Sequence, residues 1–128
     1  MDRQDILGGH AENTKIASGT ATATATQPAP GAGRQLIITG FSISFGVSST
    51  AAGVYQIRSN AGTVVFREGN LPIGAMAPII YEFKRPLVCA ENVDADIFVN
   101  GATTATVKIE LFTVTRPTSS NQLTPAST

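Results

Sequence analysis

Residues 34–47 read RQLIITGFSISFGV, and this stretch decides the fold class of the chain. Large apolar side chains occupy alternate positions on the two sides of Gly40, namely Leu36, Ile38, Phe41, Ile43 and Phe45. A period of two residues is typical of a strand that buries one face. The phase of the alternation changes at Gly40, which predicts a bulge or bend there.

The same alternation recurs on both sides of this stretch, between segments rich in Gly, Pro and Asn. It predicts about eight strands, at 19–26, 34–47, 53–59, 63–68, 78–83, 87–90, 94–100 and 105–115. No segment has the sustained period of an amphipathic helix. Short strands at intervals of roughly ten residues favour an all-β, antiparallel jelly-roll sandwich over a parallel sheet.

Two pairs of neighbouring strands are predicted to form hairpins. The sequence Asn-Ala-Gly at 60–62 is a short turn, so the strands 53–59 and 63–68 should pair. The strands 94–100 and 105–115 are expected to pair in the same way around the intervening loop.

Two other connections look irregular. Residues 69–76, GNLPIGAM, are expected to form an extended loop. The sequence Lys84-Arg85-Pro86 is expected to end the strand 78–83, because proline cannot donate a hydrogen bond to a neighbouring strand.

The last strand, 105–115, is predicted to have two different faces. Its two sets of alternate residues are Val107, Ile109, Leu111 and Thr113 on one face, and Lys108, Glu110 and Phe112 on the other. The first face is suited to a core and the second to a surface.

The chain divides into three segments by composition. Residues 1–17 are predicted to be an extended N-terminal arm, with at most a marginal helix near its start. Residues 18–116 form the predicted jelly-roll domain. Residues 117–128, PTSSNQLTPAST, carry no charge and are predicted to be a short C-terminal tail.

The charge balance narrows the class of partner. Lys and Arg number 9 and Asp and Glu number 9, so the formal net charge is zero. Nucleic acids and anionic membrane surfaces attract proteins with a surplus of cations, so neither is an expected partner. Only 14% of the residues are charged, whereas about 25% is usual. A weakly charged surface favours close packing against other protein subunits.

The scarcity of reactive residues argues against catalysis. The 128-residue chain has one Cys, one His and no Trp. A single cysteine cannot form an internal disulfide, and one histidine cannot build the usual zinc or cupin metal sites. A catalytic triad would need His10, which lies in the arm. We therefore expect no enzymatic activity, no cofactor and no metal.

The chain start MDRQDILGGH and the hydropathy pattern both bear on localisation. The start lacks the apolar segment of a signal peptide. No apolar run approaches the ~20 residues of a membrane-spanning helix. We expect a soluble protein that is made in the cytoplasm.

Acidic residues and the cysteine are the first candidate sites. Asp94 and Asp96 lie on one face of a predicted strand, with Glu91 nearby, and such a group could bind Ca²⁺ or act in general acid–base catalysis. The preferred interpretation is an exposed strand start whose charges discourage edge pairing. Cys89 lies in the apolar sequence LVCA and is expected to be a buried structural thiol.

Two sets of residues are candidates for contacting a partner. Lys84 and Arg85 follow a predicted strand and Arg67 lies with Glu68 at the end of another; these charges either solubilise the strand ends or form a polar patch that contacts another protein. Ile6 and Leu7 are the large apolar pair at the start of the arm, and they could fill a pocket on a neighbouring protein.

Three segments together carry a resemblance to a known group of proteins. They are ATATQPAPGAGRQLIITGFSISFGVSS at 23–49, VYQIRSNAGTVVF at 54–66 and VKIELFTVTR at 107–116. Their order resembles small bacteriophage structural proteins with a jelly-roll body, similar to capsid decoration (cement) proteins and to head-fibre modules. The resemblance implies a homotrimer on the capsid exterior that stabilises the shell by bridging subunits of the major capsid protein.

Three functions therefore remain open. The first is a structural virion protein that decorates a phage capsid. The second is a receptor- or carbohydrate-binding module of a tail or head fibre, although aromatic residues make up only 6% of the chain. The third is an enzyme on a jelly-roll scaffold such as a cupin, which the single histidine disfavours.

Overall fold

The computed structural model describes residues 11–46, 49–74, 77–100 and 106–118. These residues form eight strands: β1 (Ala11–Thr20), β2 (Ala23–Gln27), β3 (Arg34–Phe45), β4 (Gly53–Ser59), β5 (Val64–Leu71), β6 (Ile79–Glu91), β7 (Ala95–Asn100) and β8 (Thr106–Pro117). Among the described residues there is no helix that is long and apolar enough to span a membrane.

The strands form two four-stranded sheets that pack face to face. Sheet I has the order β1-β8-β3-β6 and sheet II the order β2-β7-β4-β5, and every pairing is antiparallel. Most connections cross from one sheet to the other, and this strand order is that of an eight-stranded jelly roll with two Greek keys. The predicted all-β jelly-roll sandwich is therefore confirmed.

The core lies between the sheets and is built from alternate residues of the central strands. The large side chains that are fully buried include Leu36, Ile38, Ile43, Ile57, Ile97, Ile109 and Leu111. In β8 the predicted two faces are both confirmed, because the face that begins at Val107 is buried and the face that begins at Lys108 points outward.

The predicted bulge at Gly40 is also confirmed. The register of β3 against both β6 and β8 shifts between Ile38 and Gly40. The backbone of β6 approaches β3 so closely here that a Cβ atom at Gly40 would overlap the carbonyl oxygen of Tyr81. Only glycine allows this approach without moving a strand.

The N-terminal strand begins earlier than the sequence predicted. β1 starts at Ala11 and pairs along its whole length with β8, so residues 11–17 of the predicted arm belong to the sandwich. The predicted single strand 19–26 is divided at Ala21, whose φ of 65° turns the chain from sheet I into sheet II. Residues 1–10 lie outside the described residues.

The C-terminal strand ends close to its predicted boundary. β8 runs to Pro117, and the backbone N–H of Thr118 donates a hydrogen bond of 3.0 Å to the carbonyl of Gly33. The remainder of the predicted tail, 119–128, lies outside the described residues.

The predicted break at Lys84-Arg85-Pro86 is wrong, because β6 is continuous from Ile79 to Glu91. Proline is tolerated there since β6 is the edge strand of sheet I and its outer side pairs with none of the described strands. β5 likewise extends to Leu71, into the segment predicted to be an irregular connection.

One of the two predicted hairpins is confirmed and the other is wrong. β4 and β5 pair around residues 60–62, where Asn60, Ala61 and Gly62 all have positive φ. β7 and β8 do not pair, because β7 lies between β2 and β4 in sheet II and β8 lies between β1 and β3 in sheet I. Both sides of each strand are already occupied, which excludes a ladder between them.

Candidate functional site

The candidate site lies at one side of the sandwich, between an edge strand of each sheet. β5 is the edge strand of sheet II and β6 is the edge strand of sheet I. A cavity of about 330 Å³ lies between these two edges; it is lined by Phe41, Tyr55, Arg67, Glu68, Ile79, Tyr81 and Phe83. A second, cationic pocket adjoins this cavity and is lined by Arg67, Tyr81, Phe83, Lys84 and Arg85. We call the cavity and this pocket together the β5–β6 cleft.

Four aromatic rings form the apolar part of the cleft. Phe41 in β3 is 3% exposed and forms the floor. Its ring centroid lies 5.3 Å from that of Tyr55, 5.8 Å from that of Tyr81 and 5.9 Å from that of Phe83. Tyr81 and Phe83 meet edge to face at 5.1 Å. Rings in tilted and edge-to-face contact at these distances stabilise one another. Together the four rings form a packed aromatic lining of the cleft.

A glycine determines where one of these rings lies. Tyr55 in β4 is the cross-strand partner of Gly69 in β5. A Cβ atom at Gly69 would overlap the Tyr55 ring, so the absence of a side chain lets the ring lie across the backbone of β5. This contact directs Tyr55 toward the open edge of the sandwich.

The fold brings the three predicted cationic contact residues together at this cleft. The cationic pocket has a volume of about 250 Å³ and is lined by Arg67, Tyr81, Phe83, Lys84 and Arg85. It shares Arg67 and two rings with the larger cavity, so aromatic and cationic surfaces are continuous. The Arg67 guanidinium carbon lies 5.9 Å from the centre of the Phe83 ring, within range of a cation–π contact.

Irregularities in both edge strands help to place these side chains. Residues 83–86 of β6 lie opposite the single residue Thr39 of β3, between the pairs Ile38–Leu87 and Gly40–Glu82. In β5 the register against β4 shifts next to Arg67. Such bulges redirect side chains at the edge of a sheet and also hinder pairing with another strand.

The cleft has an excess of positive charge. Three cations line it against one carboxylate, that of Glu68. Glu68 Oε1 accepts a hydrogen bond of 2.8 Å from Gln56 Nε2. Within the described ranges, none of the three cations forms an ion pair with a carboxylate of the chain. The arrangement is therefore suited to an anionic group held beside an aromatic surface.

The acidic candidates have structural partners. Asp96 is buried in the interior strand β7 and forms a forked ion pair with Arg58, with N–O distances of 2.8 and 3.1 Å. Asp94 accepts a hydrogen bond from the backbone of Ala61, and Glu91 accepts one from the backbone of Gly33. The predicted exposed strand start is wrong for Asp96, because β7 is not an edge strand.

No group of three or more potential metal ligands occurs in the described parts of the chain. His10 and the predicted anchor residues Ile6 and Leu7 lie outside those parts. Cys89 is buried, as predicted, and desolvation raises the pKa of its thiol to about 11. A thiol that stays protonated at neutral pH is a poor nucleophile.

Sequence reasoning missed the aromatic half of the cleft. Aromatic residues are few in this chain, but the fold gathers four of them, including both tyrosines, at one place. The alternation of Tyr81 and Phe83 directly before Lys84-Arg85 is the local signal of this surface. Phe41 and Tyr55 come from strands far away in sequence, and their contribution has no local signal.

Comparison with known proteins gives only distant similarities. No protein-family model and no curated protein matches the chain. Among solved structures, it is similar to a chain from Bacillus endospore appendages, described as a family of disulfide-linked pili, with a TM-score of 0.49, 8% identity and coverage of 86% of this chain and 89% of that one. It is also similar to the Yersinia pseudotuberculosis-derived mitogen, with a TM-score of 0.32, 14% identity and coverage of 80% and 86%. At these values neither similarity bears on function.

Proposed function

We propose that the protein is a non-catalytic structural protein of a phage virion, a homotrimer that decorates the capsid exterior and bridges subunits of the major capsid protein. The outer face of sheet I is the observation that carries this proposal. Ile16 and Ile80 are 70% and 73% exposed. They lie at the two ends of one row across the sheet, because Ile16 pairs with Glu110, Glu110 with Ser42, and Ser42 with Ile80.

A second row on the same sheet, separated from the first by the row of Phe112, begins with Glu12 and continues with three apolar residues. Val114 in β8, Ile37 in β3 and Val88 in β6 are cross-strand neighbours; Val88 is 46% exposed, whereas Ile37 is buried. The outer face of sheet I therefore carries three exposed apolar side chains, those of Ile16, Ile80 and Val88, and we infer that another protein covers this face. The neutral net charge of the chain is consistent with such close packing.

The position of β1 supports attachment from one side. β1 and β6 are the opposite edges of sheet I, so the β5–β6 cleft lies away from the edge where the chain enters the sandwich. The proposed anchor residues Ile6 and Leu7 precede β1. Attachment through this arm and the β1 side of the outer face would leave the cleft accessible, whereas attachment at Ile80 would bring a partner close to it, because Ile80 lies in β6 between the lining residues Ile79 and Tyr81.

The outer face can be tested with a polar double variant, Ile16→Ser with Ile80→Ser. Light scattering should give a mass near three chains for the unmodified protein, and co-sedimentation should show binding to undecorated phage particles. The double variant should weaken trimer formation, binding to particles, or both. The matched control is Val64→Ser with Val65→Ser, which removes two exposed apolar side chains of β5. A monomer at micromolar concentration that does not bind particles would overturn the proposal.

The cleft favours a second candidate function, that of a receptor- or carbohydrate-binding module of a virion. Four rings and three cations converge on one open edge of the sandwich. Side chains of these kinds are the usual means by which proteins hold a sugar or an anionic group. The two functions are compatible, since the surfaces that they use are different.

A further inference from the structure

We propose that the β5–β6 cleft binds one acidic sugar unit, a pyranose ring that carries a carboxylate. The proposal rests on the second candidate function and is independent of capsid decoration. The aromatic rings contact the apolar face of the sugar, and the cationic residues at the mouth bind its carboxylate.

The size and lining of the cleft set the type of ligand. The aromatic cavity of the cleft, which is to hold the sugar ring, has a volume of about 330 Å³, at the lower end of the roughly 300–1,000 Å³ that ligand pockets span. A single ring is therefore a better match than an extended chain. Tyr81 is 49% exposed and stands at the rim, while Phe41 closes the floor. An incoming ring would meet aromatic surface on several sides.

The positive charges of the cleft favour a sugar ring that carries a carboxylate. Arg67 and Arg85 offer planar guanidinium groups, which bind carboxylates through two parallel hydrogen bonds. Lys84 lines the same pocket and adds a third positive charge. The Glu68 carboxylate, held by Gln56, lines the larger cavity, where it can accept hydrogen bonds from sugar hydroxyls.

The edge strands disfavour a peptide as the ligand. An extended peptide usually binds by adding a strand to an exposed sheet edge. Here residues 83–86 of β6 bulge away from regular pairing, and Pro86 has no N–H to donate. The β5 edge is irregular beside Arg67. Recognition at this cleft must therefore rely on side chains, which suits a sugar better than a peptide backbone.

The chain itself supplies a reporter for this binding. It contains two tyrosines and no tryptophan, and both tyrosines line the cleft. The intrinsic fluorescence of the full-length protein therefore reports on this site. We expect trigalacturonic acid to change the tyrosine emission saturably, and maltotriose, a neutral trisaccharide, to bind at least about tenfold more weakly. Added salt should weaken the binding of the acidic sugar.

Charge variants connect the signal to the named residues. Arg67→Gln with Arg85→Gln should lower the affinity for trigalacturonic acid by about tenfold or more. These side chains are exposed, so the melting temperature should stay close to that of the unmodified protein. The control Lys15→Gln with Lys108→Gln removes two exposed cations of sheet I and should leave the affinity unchanged.

Several results would overturn the proposal. They are the absence of a tyrosine response up to about 10 mM sugar, an equal response to maltotriose, an equal or stronger response to a hexaglutamate peptide, and an equal loss of affinity in the control variant. Particle co-sedimentation is a separate measurement. Binding to particles without binding to the sugar would support capsid decoration and contradict the cleft proposal. Binding to the sugar without binding to particles would support the cleft proposal and contradict capsid decoration.

Discussion

At the scale of single residues, the Arg58–Asp96 ion pair is the charged contact most closely tied to stability. The two residues are cross-strand partners in sheet II, and the guanidinium also lies 4.5 Å from the centre of the Phe98 ring. The Asp96 side chain is almost completely buried. Removing one member of a buried pair is costly because the other charge loses its partner.

We expect Asp96→Ala to lower the free energy of unfolding by about 3 kcal/mol. Urea denaturation monitored by far-UV circular dichroism would measure the change. Glu68→Ala is the control, since it removes an exposed carboxylate from the neighbouring edge strand and should change stability by less than about 1 kcal/mol. Equal effects of the two substitutions would contradict a stabilising role for the pair.

Cys89 gives the protein a pH dependence under alkaline conditions. Burial raises the pKa of the folded-state thiol from 9.0 to about 11, with a smaller raising effect from Asp94 and a lowering effect from a hydrogen bond with Ser59. Above pH 9 the unfolded chain therefore loses the thiol proton while the folded chain retains it. The stability that this group contributes is complete below pH 9 and is lost as the pH rises toward 11.

The unmodified protein should consequently lose more stability between pH 9 and pH 11 than the Cys89→Ala variant does. Urea titrations of both proteins across this range would measure the two slopes. The Cys89→Ala substitution also lowers the free energy of unfolding because it leaves a small cavity. This loss is the same at every pH, so it does not change the slope of stability against pH. Parallel slopes would show that the thiol titrates normally in the folded protein.

At the scale of elements, the bulge at Gly40 connects the fold to the cleft. β3 contributes Phe41 to the floor directly after the bulge, and β6 contributes Tyr81 opposite it. The position of Tyr81 therefore depends on how closely β6 approaches Gly40. A substitution here should affect stability and the cleft together.

We expect Gly40→Ala to lower the free energy of unfolding by about 1–3 kcal/mol, since the new Cβ can be accommodated only by moving backbone. The same change should shift the tyrosine fluorescence of the folded protein, because the Tyr81 ring moves with β6. Ser44→Ala, in the same strand, is the control and should do neither. An unchanged melting temperature in Gly40→Ala would show that β6 adapts without cost.

At the scale of the whole molecule, the first described strand begins at Ala11, so a deletion of the preceding residues leaves every described strand uncut. Deleting residues 2–10 should leave trimer formation intact, because every described strand remains. Binding to phage particles should fall strongly, since Ile6 and Leu7 are lost, and each buried side chain contributes about 1.5–3 kcal/mol.

Light scattering and particle co-sedimentation would separate these two effects. Deletion of residues 119–128 is the control and should preserve particle binding. If the arm deletion binds particles at full strength, the outer face of sheet I is left as the attachment surface. If it no longer forms trimers, the arm belongs to the subunit interface.

The sequence by itself determined the all-β class, the strand around Gly40, the two faces of β8 and the turn at 60–62, but not the start of β1 or the continuity of β6. The alternation around Gly40 and the faces of β8 follow from the two-residue period of an extended strand, and the turn at 60–62 forms where Asn60, Ala61 and Gly62 adopt positive φ. These are local preferences, so they are readable without knowing the partner strand.

Only the tertiary structure decided which strands pair and where the candidate site lies. β7 and β8 are neighbours in sequence but belong to different sheets, and Pro86 is tolerated inside a strand because that strand is an edge. Phe41, Tyr55 and Tyr81 come from three strands of the two sheets. Their meeting depends on the packing of the sheets, a long-range property that no local pattern encodes.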